Sequence, residues 1–172
     1  MIQIFHARKQ LIKVRGLTWF FLILAVPAVY YGIDLAQTYG LRPADGGVLA
    51  PLPVRLAVGG GLAFLGLLAA GGMLLYNTMY IAWLELDSSG QLVHITTPRL
   101  FGSHTSIIPA QDIEAGQLHL GQMDTGELTV NAPWHAIHIK GRKLFLILDL
   151  QGEILDLEAA RQVFRIRPAY TR

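Results

Sequence analysis

The sequence predicts an α+β membrane protein: a two-helix transmembrane hairpin, then a small β-rich, partly open barrel with a C-terminal helix. Three observations predict it. Two long stretches, residues 16–33 and 56–84, carry no charged side chain. The part after Glu85 alternates apolar and polar residues with a period of two, as half-buried strands do. The composition is 52% apolar and only 15% charged over 172 residues, whereas a soluble domain carries roughly 25% charged residues. So apolar a composition excludes disorder, and in so short a chain it excludes a purely soluble enzyme core.

Residues 1–15 form a basic N-terminal segment with Arg8, Lys9, Lys13 and Arg15 and no acid. The first helix is expected at about 17–34. Its charge-free run of 18 residues reaches about 27 Å as a helix, close to a hydrocarbon core of about 30 Å. Trp19 and Phe20 at one end and Tyr30 and Tyr31 at the other resemble interfacial belts. Pro27 is expected to kink this helix, a feature that neighbouring protein tolerates in lipid. The apolar stretch is longer than a signal-peptide core and Tyr30-Tyr31 is a poor cleavage site, so the helix is read as retained.

Gly40, Pro43, Gly46, Gly47, Pro51 and Pro53 predict a loop over 35–54. The second helix is expected over about 55–83, ending in the aromatic side chains Tyr76, Tyr80 and Trp83. Gly59, Ala63, Gly66 and Ala70 recur on one face of it. Small residues let helix backbones approach closely in lipid, where packing drives association. The face is read as a helix-packing site, for the first helix or for a foreign one. Four bases precede the first helix and only Arg42 and Arg55 lie in the loop. Basic flanks stay on the side of synthesis, so both termini are expected inside and the loop outside.

The soluble domain is expected over 85–172. Ser89-Gly90 separates two strand-like stretches, 83–88 and 91–97; further candidates are 103–108, 118–121, 127–131 and 135–140. The best hairpin joins 137–140 to 143–148 through Gly141-Arg142. On its second strand Phe145 and Ile147 point one way and Leu144, Leu146 and Leu148 the other, and one set must face the core. Asp149-Leu150-Gln151-Gly152 closes the hairpin with turn residues. Asp156 is placed to cap a final helix over 157–165, whose apolar face reads Leu157, Ala160, Val163 and Phe164. Short strands followed by one helix resemble the pleckstrin-homology type of fold, with the helix across one mouth of the barrel.

Eight Lys and Arg against ten Asp and Glu in this domain give no basic field for nucleic acid. Lys140, Arg142 and Lys143 do cluster, on a hairpin tip where exposed turn residues are ordinary; contact with phospholipid headgroups or an acidic partner is the sharper reading. The chain has no cysteine, which removes disulfides, thiolate metal sites and thiol nucleophiles. Six histidines, His6, His94, His104, His119, His135 and His138, form no metal motif; His135 and His138 fall on opposite faces of one strand. Asp34 ends the first apolar run where the loop is solvated, which argues against proton relay. No catalytic constellation, cofactor site or metal site is expected, and the chain is read as a non-enzyme.

Val93-His94-Ile95-Thr96-Thr97, Phe101-Gly102, Pro109, Ile139-Lys140-Gly141-Arg142-Lys143-Leu144-Phe145, Leu148-Asp149 and Gly152 resemble the pattern of the transmembrane protein 223 family, related to transmembrane proteins 70 and 186. The likeness covers about 90–152 by motif and the rest by layout. It implies residence in the mitochondrial inner membrane and a part in building respiratory complexes, without an active site. On that basis the chain is expected to be a non-catalytic accessory subunit of a respiratory complex, in the first place cytochrome c oxidase. It would pack among integral membrane subunits and phospholipids as a hetero-oligomer. Two alternatives stand beside this: a transient assembly factor for cytochrome c oxidase, complex I or ATP synthase, and a membrane-anchored lipid-headgroup binder. Residues 2–15 can also serve as a retained targeting signal, and a homologue in a bacterial plasma membrane would fit the same charge pattern.

Overall fold

The computed structural model describes residues 1–41, 46–114, 116–124 and 129–164. The chain divides into two compact units, Gly16–Leu75 and a second made of Met1–Arg15 with Tyr76–Arg172. The architecture is α+β, two long apolar helices with antiparallel sheets that remain partly open.

The helical unit holds most of α1 (Arg8–Thr38) and α2 (Leu52–Met79), both long and apolar enough to cross a membrane. α1 continues through Pro27 and past Asp34, whose backbone carbonyl accepts a hydrogen bond from Thr38 Oγ1 at 2.9 Å. It stops at Gly40, which adopts φ +98°, a conformation that only glycine reaches without strain. α2 starts at Leu52 and includes Pro53, because a helix's first turn has no intrahelical use for the missing N–H. Both ends of the loop of 35–54 expected from its glycines and prolines are therefore helical, up to Thr38 and from Leu52; residues 42–45 of it lie outside the described residues. Ala50 N–H bonds to the Tyr39 carbonyl at 3.0 Å across its base. Arg55 Nη1 donates to the carbonyls of Gln37 at 3.1 Å and Ala36 at 3.4 Å, so a cation sits on the negative end of the α1 dipole.

The β unit contains β1 (Ile2–His6), β2 (Trp83–Leu86), β3 (Leu92–Pro98), β4 (Ser103–Pro109), β5 (Ile113–Glu114), β6 (Leu118–His119), β7 (Gln122–Asp124), β8 (Thr129–Asn131), β9 (Trp134–Ile139), β10 (Leu146–Asp149), β11 (Glu153–Ile154) and α3 (Leu157–Phe164). Five strands form one antiparallel sheet in the order β11-β1-β2-β3-β4. A second sheet runs β10-β9-β5, with β6 also on β9, and β7 pairs β8 as a separate ribbon. One core joins Ile4, Phe5, Leu84, Val93 and Ile95 of the first sheet to Ile137, Leu146 and Leu148 of the second. α3 packs on β1 and β5 with Ala159, Ala160 and Val163 buried, and Asp156 Oδ1 accepts from Ala159 N–H at 2.9 Å at its start.

Three expectations are corrected, and the inward face of the second hairpin strand, left open by its alternation, is decided. Residues 1–15, expected as a basic N-terminal segment, begin with a strand instead: β1 lies inside the five-stranded sheet, paired to β2 and β11, with Ile4 and Phe5 fully buried. Arg8, at φ +40°, turns the chain from β1 into α1 and forms an ion pair with Glu153. The second helix ends at Met79, not 83. Tyr80, Ile81, Ala82 and Leu84 are apolar because they enter the protein core, where burial demands the same residue types as lipid. On β10 Leu146 and Leu148 face inward and Ile147 is half-buried on the other side; in the turn before it Leu144 is exposed and Phe145 half-buried. Leu157, assigned to the apolar face of α3, is 51% exposed, since the helix buries itself through its second and later residues.

Phe5→Ala and Leu146→Ala should each destabilise the β unit by about 2–5 kcal/mol, because both remove fully buried atoms from a close-packed core. Leu157→Ala should stay within about 0.5 kcal/mol. Denaturant unfolding of the detergent-solubilised chain checks the difference.

Candidate interaction surfaces

The small-residue face of α2 is matched by one on α1. A Cβ at Gly59 would meet the Gly32 carbonyl oxygen and, at 2.6 Å, the Ala36 nitrogen. One at Gly32 would lie 2.6 Å from the Gly59 oxygen and 2.9 Å from the Ala63 side chain, and one at Gly66 would lie 2.6 Å from Ala28 Cβ. The two helices thus run antiparallel with their backbones in contact, which only glycine and alanine permit. Ala70 is buried as well. Of the four residues singled out on α2, Gly59, Ala63 and Gly66 face α1. The α1 side of this seam, Ala25, Ala28, Gly32 and Ala36, recurs at helical spacing and is the matching signal in the sequence.

Lys140, Arg142 and Lys143 are all exposed at the turn between β9 and β10. Gly141 makes the turn at φ +81°. Arg142 is also structural: its Nη2 donates to the Thr78 carbonyl at 3.1 Å, in the last turn of α2. A guanidinium there satisfies an orphan carbonyl and complements the helix dipole.

A third surface lies on β9. Along β9, His135, Ile137 and Ile139 turn towards the core, so Trp134, Ala136 and His138 lie on the opposite face, where Trp134 is half-buried, Ala136 covered and His138 exposed. Trp134 stacks on His119 with ring centroids 4.1 Å apart, and on Phe145 at 5.8 Å. His138 approaches Phe145 at 6.0 Å. Two clefts adjoin this aromatic group, one of about 320 Å³ bounded by Tyr76, Ile147 and Asp149, the other of about 450 Å³ bounded by Gly116, Gln117 and Ala136. Gly116 is required there, because a side chain would run into the Ala136 carbonyl. Beneath the first cleft the buried Tyr80 hydroxyl donates to Asp149 Oδ2 at 3.3 Å. Burial, and then the Asp149 charge, raise the Tyr80 pKa far above the ordinary phenol value, so this bond keeps its proton throughout the physiological range. The hint in the sequence was a tryptophan alternating with Ala136 and His138 opposite Phe145.

The histidines do not converge. His6 stacks on Trp83 at 5.1 Å, His104 Nδ1 lies 3.4 Å from Ser106 Oγ, and buried His135 places Nδ1 3.1 Å from the Ala136 carbonyl. Among the described residues no group of three His, Asp or Glu could hold a metal ion. These surfaces offer packing area, cations and aromatic faces.

The sequence profile of the TMEM70/TMEM186/TMEM223 protein family matches residues 15–163. The chain belongs to that family. Comparison with curated proteins finds no match. The family is associated with mitochondrial membrane proteins, and membership suggests a role in assembling mitochondrial complexes.

Gly59→Leu and Gly66→Leu should force α1 and α2 apart, at a cost of about 1–3 kcal/mol or more for overpacking. Gly60→Leu should be tolerated, because a side chain there meets open space. Steady-state level and protease resistance of the membrane-inserted chain distinguish the two classes.

Proposed function

We propose that the chain is a non-catalytic assembly factor of the mitochondrial inner membrane, which holds membrane subunits of a respiratory complex while that complex is built. The observation that carries this reading is the closed seam. Gly32, Gly59, Ala63 and Gly66 are consumed within the hairpin, so it stands without a foreign helix filling a gap. A factor that joins and leaves a complex needs that self-sufficiency. Family membership supports the mitochondrial setting. The outer faces of the helices carry bulky side chains such as Phe20, Ile23, Phe64 and Leu65, all exposed and suited to lipid or to a partner's helix. The four bases of the N-terminal region against two in the loop support both termini in the matrix.

A second reading, a permanent accessory subunit of cytochrome c oxidase, is favoured by the outward aromatic group around Trp134, a surface suited to lasting contact. Membrane extracts separated by native size tell the two apart. An assembly factor migrates with incomplete complexes and is lost from the mature one. A subunit accompanies the mature complex at one copy each.

The non-catalytic reading predicts that His94→Ala, His104→Ala, His119→Ala, His135→Ala and His138→Ala each leave the amount of assembled complex largely unchanged, measured by in-gel activity. Loss of assembly in a histidine variant that still folds and inserts would reveal chemistry.

A further inference from the structure

Phe101 is 78% exposed, the most exposed large apolar side chain among the described residues. It sits at the tip of the β3–β4 hairpin, a tight turn in which Arg99 N–H bonds to the Gly102 carbonyl at 3.2 Å and Gly102 takes φ +75°. The same carbonyl accepts from Arg15 Nη2 at 2.8 Å. Arg15 is the last charged residue before the apolar run of α1. If α1 crosses the bilayer, as the proposed function requires, this bond ties the tip to the depth at which the helix enters it. The headgroup layer on each side of the hydrocarbon is about 5–8 Å thick, about one helical turn of 5.4 Å, and Phe101 is the residue next to Gly102.

The surrounding charge agrees with such a place. No acid occurs between Asp87 and Asp112, so the whole β3–β4 hairpin is acid-free, and exposed Arg99 stands beside Phe101. An aromatic ring flanked by guanidinium groups suits the boundary between acyl chains and phosphates. The β9–β10 turn is tied in the same way to the last turn of α2 through Arg142 and Thr78. Because α1 and α2 form a hairpin, both ties lie at the same membrane surface. We propose that the β3–β4 tip, Arg99 to Gly102, is a membrane-interface anchor, with Phe101 seated in the lipid headgroup region and Arg99 on phosphate.

The chain has no cysteine, so a single one reports a single position. Full-length Phe101→Cys, Gln91→Cys and Ile23→Cys, each labelled with a polarity-sensitive dye, are reconstituted in vesicles of phosphatidylcholine and an anionic phospholipid. Lipid-borne quenchers are placed either at the headgroup or deep in the acyl chain. The expected result is blue-shifted emission at 101, quenched from the headgroup position; emission at 91, the far end of the same hairpin, stays water-like. Ile23, exposed in the middle of α1, is quenched from the acyl chain. A dye at 101 that stays as solvated as one at 91, while Ile23 is quenched, overturns the anchor and leaves the membrane reading intact. Failure to quench at 23 overturns both. Shielding at 101 that arises only in native membranes assigns the tip to a protein partner and overturns the lipid assignment.

Discussion

The antiparallel pairing of β1 with β2 is the constraint on which the rest of the structure depends. β1 immediately precedes α1 and β2 follows α2, and the two strands are hydrogen-bonded neighbours, with His6 opposite Trp83 and Ile2 opposite Leu86. Neighbouring strands lie about 4.8 Å apart, so the chain leaving for the helical hairpin and the chain returning from it are held side by side. Helices of ordinary composition pack with axes 8–10 Å apart. The glycines and alanines of the seam allow the backbones to touch, which is compatible with ends held this close. Loss of β1 would therefore remove an inner strand of the sheet and the pairing that holds these two chain segments side by side.

The arginines show how electrostatics reinforces this plan. Arg55 covers the last carbonyls of α1, and Arg142 bonds to a carbonyl in the last turn of α2. Arg15 reaches from α1 to the β3–β4 turn, and Arg8 pairs with Glu153 where β1 meets β11. Arg55 and Arg142 reach carbonyls that helix ends leave open, Arg15 adds a second bond to the Gly102 carbonyl, and Arg8 meets a carboxylate. In a chain with so few charges, these positions are the junctions between elements.

For function, the arrangement separates two tasks. The helices bind each other through small residues and leave large ones outward. The β unit buries a core of its own and turns Trp134, His119 and Phe145 outwards. Neither surface carries a converging set of nucleophiles or metal ligands among the described residues. In the proposed assembly role, these two surfaces are where the chain would bind its partners.

The sequence alone determined the fold class, the two apolar helices, the β9–β10 hairpin, the capped final helix and the family. These depend on local pattern: runs without charge, alternation, turn residues, one aspartate before an apolar stripe. Tertiary structure decided what local pattern leaves degenerate. Residues 2–6 are too short to show a period, and basic neighbours concealed them; only pairing to β2 and β11 makes them a strand. The apolar stretch Tyr80–Leu84 reads the same for lipid and for protein core, because both exclude charge, and only packing assigned it to the core. Alternation on β10 defined two faces without saying which was inward, and the second sheet chose Leu146 and Leu148. The aromatic group joins residues from β6, β9 and the turn before β10, and proximity across strands is a property of register that no single segment carries.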